Sequence, residues 1–261
     1  MQKNVIEYLL RTAETYPQKI AVQDSVKEIT FAQLLERAHI LASKVRQYGI
    51  MNSPVGVYIP KGCDAVTAFA ALSMSGNFYV PLDTKSPSSR VESIITVLDT
   101  PILITDSEHF TDLQKITDRP ILVIDNSYTD SSIQRIAIEK LMEKQIDTDP
   151  VYSIFTSGST GIPKGVVVSH RGVIDYIDWA IETFHIDSTS IIGNQAPFYF
   201  DNSTLDIYLM YATGATLNII PDTFFAFPAK LVEYLDEKKI TFVFWVPFVL
   251  VNMANFKILD S

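Results

Sequence analysis

The densest chemistry in the chain lies in Phe155-Thr156-Ser157-Gly158-Ser159-Thr160-Gly161-Ile162-Pro163-Lys164-Gly165. Three of the ten glycines fall within eight positions there, interleaved with four hydroxyl side chains and a lysine. Glycine lets backbone N–H groups approach an anion closely and adopt positive φ. Serine and threonine hydroxyls add donors, and Lys164 adds a cation. Such a loop can cradle phosphate. A surface turn between strands can have the same composition, so the flanks decide. Positions 152–155 and 166–168 read as buried strands that hold both ends, which a passive turn does not require. A kinase-type P-loop is excluded, because its pattern G-x-x-x-x-G-K-[ST] runs into a helix. That pattern needs glycine where Pro163 stands, a hydroxyl where Gly165 stands, and a helix where Val166-Val167-Val168 reads as strand.

The loop resembles the phosphate-binding signature of the adenylate-forming superfamily, which includes peptide-synthetase adenylation domains, acyl-CoA ligases and luciferases. There the loop follows a strand and closes over the β- and γ-phosphates of ATP. The resemblance implies that Thr156, Ser157, Gly158, Ser159, Thr160, Gly161 and Lys164 bind ATP phosphate. Leu72-Ser73-Met74-Ser75-Gly76-Asn77-Phe78-Tyr79-Val80-Pro81-Leu82-Asp83 resembles an earlier core motif. It also reads simply as a helix ending at glycine and leading into a strand, a structural role without direct chemistry.

A third segment, Asn194-Gln195-Ala196-Pro197-Phe198-Tyr199-Phe200-Asp201-Asn202-Ser203, resembles the Phe-Asp-x-Ser motif of amino-acid-activating members. An ammonium group enclosed in a cleft needs a fixed counter-charge, and the resemblance assigns that role to Asp201. On residue chemistry alone, Asp201 reads equally well as the cap of a helix beginning near Ser203. The same resemblance implies that Asn202 and Leu205 line the substrate side-chain pocket. The stretch Phe244-Trp245-Val246-Pro247 approaches it, with Phe244 as the candidate contact, although both aromatics read as well as core residues. Positions 193–198 with 205–208 are most similar to the D-alanine–carrier-protein ligase branch.

The implied reaction is ATP-dependent activation of an amino-acid carboxylate as aminoacyl-AMP, then transfer to a carrier-protein phosphopantetheine thiol. ATP and Mg2+ are the expected cofactors. An acyl- or aryl-CoA ligase is the alternative within the superfamily, and Asp201 argues against it because such substrates carry no ammonium. A non-catalytic truncated binding fragment is the other alternative. In the superfamily an adenine-binding motif, a magnesium-binding glutamate, a ribose-binding aspartate and a small carboxy-terminal domain with a catalytic lysine would follow Ser261. Residues 1–261 are therefore expected to be a partial AMP-binding domain, the amino-terminal part of the large domain, with the carboxy-terminal domain absent, no catalytic lysine in the chain and no turnover in isolation.

These motifs need elements to position them. Apolar residues at helical spacing run from Val5 to Leu10 and from Phe31 to Val45, the latter opened by a Thr30/Gln33 capping box and closed by Gly49. A strand at 55–59 precedes a small-residue helix reaching Met74. Further strands are expected at 102–105, 121–124, 151–156, 165–169, 216–220 and 240–246, and helices at 88–98, 133–144, 171–183, 203–211 and 229–238. The polar stretch 126–132 reads as a loop. Alternation of this kind predicts an α/β fold of layered, largely parallel sheets flanked by helices. A subdomain boundary is expected near 147–150, although both sides could share one sheet system.

Composition narrows the partners. With 47% hydrophobic and 20% charged residues in 261, the chain can bury a large core. A net charge of −9 disfavours nucleic acid and anionic membrane surfaces. The lone Cys63 allows no internal disulfide, the amino terminus is no signal peptide, and the longest apolar run, 241–251, is too short to span a membrane. A cytoplasmic protein is expected. His170, beside the expected cap Ser169, reads as structural rather than as a base. His39, His109 and His185 lack metal-ligand spacing, so no protein metal site is expected.

Overall fold

The computed structural model describes residues 2–124, 135–156 and 163–256. In chain order the elements are α1 (Ile6–Thr15), β1 (Ile20–Gln23), β2 (Glu28–Thr30), α2 (Phe31–Arg46), β3 (Pro54–Tyr58), α3 (Cys63–Met74), β4 (Phe78–Pro81) and α4 (Ser88–Leu98). They continue through β5 (Leu103–Asp106), α5 (Phe110–Gln114), β6 (Ile121–Ile124), α6 (Arg135–Lys144), β7 (Pro150–Thr156), β8 (Lys164–Ser169), α7 (His170–Phe184) and β9 (Ile191–Asn194). The last are α8 (Asn202–Thr213), β10 (Thr216–Ile219), a 3-10 turn (Asp222–Ala226), α9 (Pro228–Glu237) and α10 (Pro247–Asn255).

Among the described residues the strands form two sheets. One has the order β6-β5-β3-β4-β7-β8 and is parallel except for the β7–β8 hairpin. The other has the order β2-β1-β10-β9 and is parallel except for β1–β2. Alternation along the strands assigns the faces. Val55, Val57, Tyr79 and Ile104 enter the main core, whereas Tyr58, Phe78, Val80 and Leu103 join α4 in a second cluster. In the other sheet Leu217 and Ile219 enter the main core, while Ile220 packs with Leu231 of α9 and Val249 and Met253 of α10. Helices α1, α2, α3 and α8 thus fill the layer between the sheets.

The local signals explain where elements begin and end. Thr30 and Gln33 form the reciprocal capping box at the start of α2. Gly76, at φ +74°, supplies the left-handed residue after α3. Helix α3 is buried on every side, and its run of alanines lets neighbouring backbones approach closely. Buried hydroxyls are paired: Tyr79 of β4 meets Tyr208 of α8 at 2.9 Å, and Thr12 of α1 donates to the Tyr211 carbonyl at 2.7 Å.

The structure corrects the expected elements in several places. Positions 240–246 do not form a strand: Phe242 makes a single parallel bridge to Ile192, and the rest of the run lacks a ladder partner among the described residues. Pro247 instead opens α10, which periodicity did not predict. The short strands β1, β2 and β9 and the helix α5 were also unforeseen. Backbone pairing crosses 147–150, since Tyr152 of β7 pairs with Tyr79 of β4. The Asp147 and Asp149 carbonyls accept the Arg171 and His170 N–H groups, so this segment is stapled to the start of α7. The loop expected at 126–132 and the first two residues of the helix expected at 133–144 lie outside the described residues.

His170 is buried at the first position of α7, where Ser169 is the cap and the imidazole Nδ1 accepts the Val5 N–H at 3.3 Å. Burial pushes its pKa down to about 4, against the opposing pull of Asp149 and Glu7. The unfolded chain takes up a proton near pH 6.5 that the fold refuses until about 4, so stability is lost as pH falls through that interval. The expected loss is about 3 kcal/mol. Urea unfolding at neutral and acidic pH should show it in the parent and a much smaller loss in His170→Asn. Equal losses in both proteins would remove His170 from the acid response.

Candidate functional site

The β7–β8 hairpin fixes the ends of the glycine- and hydroxyl-rich loop. Its register pairs Tyr152 with Val168, Ile154 with Val166, Phe155 with Gly165, and Thr156 with Lys164. Thr156 and Lys164 therefore stand opposite one another at the mouth of the loop. Both are exposed, and the Thr156 hydroxyl reaches the Lys164 carbonyl at 3.5 Å. Ser157, Gly158, Ser159, Thr160 and Gly161 lie outside the described residues. Gly165 has a packing role of its own: a Cβ there would stand 2.8 Å from Ser153 Oγ and 2.9 Å from the Phe155 ring.

Asp201 occupies the amino terminus of α8. Its carboxylate accepts the Asn202 N–H at 2.9 Å, and its carbonyl accepts the Thr204 N–H and hydroxyl. The Ser203 hydroxyl returns to the Phe200 carbonyl at 2.7 Å and tightens the turn. Asp201 thus has the capping role read as the alternative in the sequence, and the same exposed carboxylate lines a cleft of about 520 Å³.

Four parts of the fold build that cleft. Tyr152, Ile154, Thr156, Val166 and Val168 come from one face of the β7–β8 hairpin, and Arg90, Val91 and Ile94 from α4. The turn after β4 contributes Asp83 and Ser86, and the segment before α8 contributes Tyr199, Phe200 and Asp201. Asp83 organises its turn by accepting the Lys85 N–H at 2.9 Å and the Ser86 hydroxyl at 2.8 Å. Burial raises the Tyr152 and Tyr199 phenols above their ordinary range, so both stay neutral. The cleft joins the anionic Asp201, the cationic Arg90 and the loop mouth across an aliphatic wall.

A cavity of about 60 Å³ shares Pro81, Asp83 and Tyr199 with the cleft. Lys61, its side chain 12% exposed, pairs there with Asp222 at 2.7 Å and donates to the Gln195 carbonyl at 3.2 Å. Burial lowers the Lys61 pKa while Asp222 opposes the shift. Lys85 reaches the other Asp222 oxygen at 2.8 Å. Burial alone would raise Asp222, but the two lysines hold its carboxyl below the usual range.

Of the expected site residues, the structure brings Thr156 and Asp201 into one cleft, with Lys164 across the ladder from Thr156 and Asn202 next to Asp201. Leu205, one turn along α8, is fully buried in the main core and is not among the residues lining this cleft. Phe244 packs, half-buried, against the same core and is not part of the cleft lining either. Trp245 proves a core aromatic, donating from Nε1 to the Gly193 carbonyl at 2.9 Å and meeting Phe225 edge-on. Asp83, Ser86, Arg90, Tyr152 and Tyr199 were missed as site residues. Asp83 closes a motif that was given only a structural role, and its polar turn was the available signal. Among the described residues no three His, Cys, Asp or Glu side chains group as ligands for a metal ion. No helix there is long and apolar enough to cross a membrane.

The family model described as AMP-binding enzyme matches residues 9–260. The chain is 32% identical over 227 residues to the D-alanine--D-alanyl carrier protein ligase of Lacticaseibacillus paracasei, which covers 85% of this chain and 43% of that relative. It is 27% identical over 255 residues to the L-proline--[L-prolyl-carrier protein] ligase of Pseudomonas fluorescens, covering 95% of this chain and 51% of that relative. The chain thus spans about half the length, or less, of these two curated relatives. Among solved structures, the nonribosomal peptide synthetase FmoA3 in its alpha-methyl-L-serine-AMP bound form superposes with a TM-score of 0.86 at 26% identity, over 97% of this chain and 28% of that one.

The contacts at Gly165 make a test of the hairpin. Gly165→Ala should cost about 1–3 kcal/mol in chemical denaturation, because Ser153 and Phe155 must both shift to admit a methyl group. A variant as stable as its parent would show that the Phe155 ring moves aside without cost.

Proposed function

Since the chain belongs to the AMP-binding enzyme family, we propose that it carries the phosphate-loop and substrate-binding part of an enzyme that adenylates an amino-acid carboxylate. In the first step a substrate carboxylate oxygen attacks the α-phosphorus of ATP. The bond from that phosphorus to the α,β-bridging oxygen breaks, giving aminoacyl-AMP and pyrophosphate. In the second, a carrier-protein phosphopantetheine thiolate attacks the acyl carbon and AMP leaves. The observation that carries this reading is that Asp201 and Thr156, 45 positions apart in the sequence, line one cleft.

The residues divide the work by charge. Asp201 holds the substrate ammonium, which directs the carboxylate toward the loop mouth. Asn202 supports the same end. Thr156 and Lys164 anchor the loop in which Ser157, Gly158, Ser159, Thr160 and Gly161 hold the β- and γ-phosphates and stabilise charge on departing pyrophosphate. Mg2+ would travel with the ATP phosphates. The described residues offer it no ligand set of their own, so no step is assigned to it.

ATP–pyrophosphate exchange by a complete enzyme that contains this chain, with a panel of amino acids that includes both enantiomers of alanine and L-proline, tests the reading. Exchange should depend on one or a few amino acids. It should fall at least about 100-fold in Asp201→Ala, the loss expected for an unpaired charge at a binding site, with stability lowered by only the roughly 1 kcal/mol that loss of a helix cap costs. Exchange driven by fatty or aryl acids and indifferent to Asp201 would move the protein to acyl-CoA ligase chemistry. Absence of both exchange and ATP binding by calorimetry would leave a non-catalytic binding fragment.

A further inference from the structure

The cleft-facing segment 195–201 has a buried neck. Asn194 ends β9 and Asp206 lies in the second turn of α8, so the two residues bracket the segment that carries Tyr199, Phe200 and Asp201. Both are fully buried, at 0% exposure. Asn194 Nδ2 donates to Asp206 Oδ2 at 2.8 Å. The other oxygen of each group, Asn194 Oδ1 and Asp206 Oδ1, has no hydrogen-bond partner among the described residues.

Two orphaned acceptors on groups already in contact are a bookkeeping failure for an ionised carboxylate, which only accepts. Buried oxygens of this kind are rarely left unpaired. One proton on Asp206 Oδ1 removes both defects. The acid then donates to Asn194 Oδ1 while Asn194 Nδ2 donates to Asp206 Oδ2, closing a planar ring of two reciprocal hydrogen bonds. We propose that Asp206 is held as the neutral acid in such a pair with Asn194, and that the pair is the positioning clamp that keeps Asp201 at the cleft.

The surroundings agree. The groups that act electrostatically with Asp206 are Lys61, from the turn before α3, and Tyr176 of α7. Lys61 favours the ionised form, but its hydrogen bonds go to Asp222 and the Gln195 carbonyl rather than to Asp206. Burial outweighs the Asn194 and Lys61 contributions and pushes the Asp206 carboxyl up to about 7. A second, ionised carboxylate one turn from Asp201 would share the substrate ammonium's field. A neutral one holds the helix without competing for the charge.

The catalytic part of this inference rests on the adenylation reading; the protonation part does not. Asp206→Asn supplies the same reciprocal geometry without a titratable proton and should melt close to the parent, with the amino-acid KM preserved. Asp206→Ala and Asn194→Ala should melt lower and raise that KM more than they lower kcat. The infrared difference between the parent and Asp206→Asn should contain the carbonyl stretch of a protonated acid near pH 6. A raised carboxyl contributes stability below its unfolded pKa and loses it as pH rises through about 7. The parent's melting temperature should therefore fall relative to that of Asp206→Asn between about pH 5 and pH 8. An Asp206→Asn variant as damaged as Asp206→Ala, together with no acid band, would show a charged Asp206 held by Lys61 and overturn the proposal. Should a complete enzyme that contains this chain catalyse no exchange at all, the adenylation reading fails, while the infrared band and the melting comparison still decide the state of the pair.

Discussion

Helix α3 has no polar face, and the fold follows from that constraint. A helix apolar all round must be covered all round, and one sheet can cover only one side. The chain meets the requirement by placing α3 with α1, α2 and α8 in a layer between two sheets, whose inner faces close it above and below. Small residues along α3 set how closely its neighbours approach. With that spacing fixed, α8 lies against β4, and the Tyr79–Tyr208 hydroxyl pair joins the two at 2.9 Å. The amino terminus of α8 then emerges where β7 leaves the six-stranded sheet, which is where the cleft forms.

Such a thick interior makes polar groups there expensive unless paired. Thr12, Tyr79, Tyr208 and Tyr211 meet this with direct partners on neighbouring elements. Lys61 and Asp222 meet it as an ion pair at the edge of the core. Asp206 and Asn194 meet it only if a proton is added, so their protonation state follows from hydrogen-bond accounting rather than from charge. Near the cleft, Ser203, Thr204 and Asp206 are buried in the first two turns of α8. Helices α9 and α10 pack around Ile220 in a separate apolar cluster rimmed by aromatic side chains.

Much of this was legible in the sequence, for identifiable reasons. Caps are local events: the Thr30/Gln33 box, Ser169 before α7 and the glycines after α2 and α3 each act within a few residues, so their helices could be read directly. The strands β1 and β9 have four residues each and exist because distant partners complete their ladders, as Val22 does with Leu217. Positions 240–246 show the converse, an apolar β-branched run left irregular for lack of a ladder. Within the site, the loop and Asp201 were legible as motifs. Asp83 and Arg90 become site residues only because β4 and β7 are neighbours in the sheet, a fact of topology that no local pattern carries. Leu205 sits on α8 where the motif places it, with its side chain buried in the main core.

The charge distribution explains why the loop has the composition it has. A chain of net charge −9 repels a nucleotide polyphosphate at long range. Of the cations near the cleft, Lys61 and Lys85 are engaged by Asp222, while Arg90 lines the cleft and Lys164 stands opposite Thr156 at the loop mouth. Both are exposed, and salt screens exposed charges over about 8 Å under physiological conditions. Salt screens the net charge of the chain over the same range, so interactions at contact distance matter most. Backbone N–H groups and hydroxyls are the donors that act at contact distance without depending on ionic strength. A segment of glycine, serine and threonine, pinned at both ends by an antiparallel ladder, is the local sequence that provides them. On the proposed reading, an acidic chain binds phosphate through hydrogen bonds from this segment, with Lys164 as a local supplement.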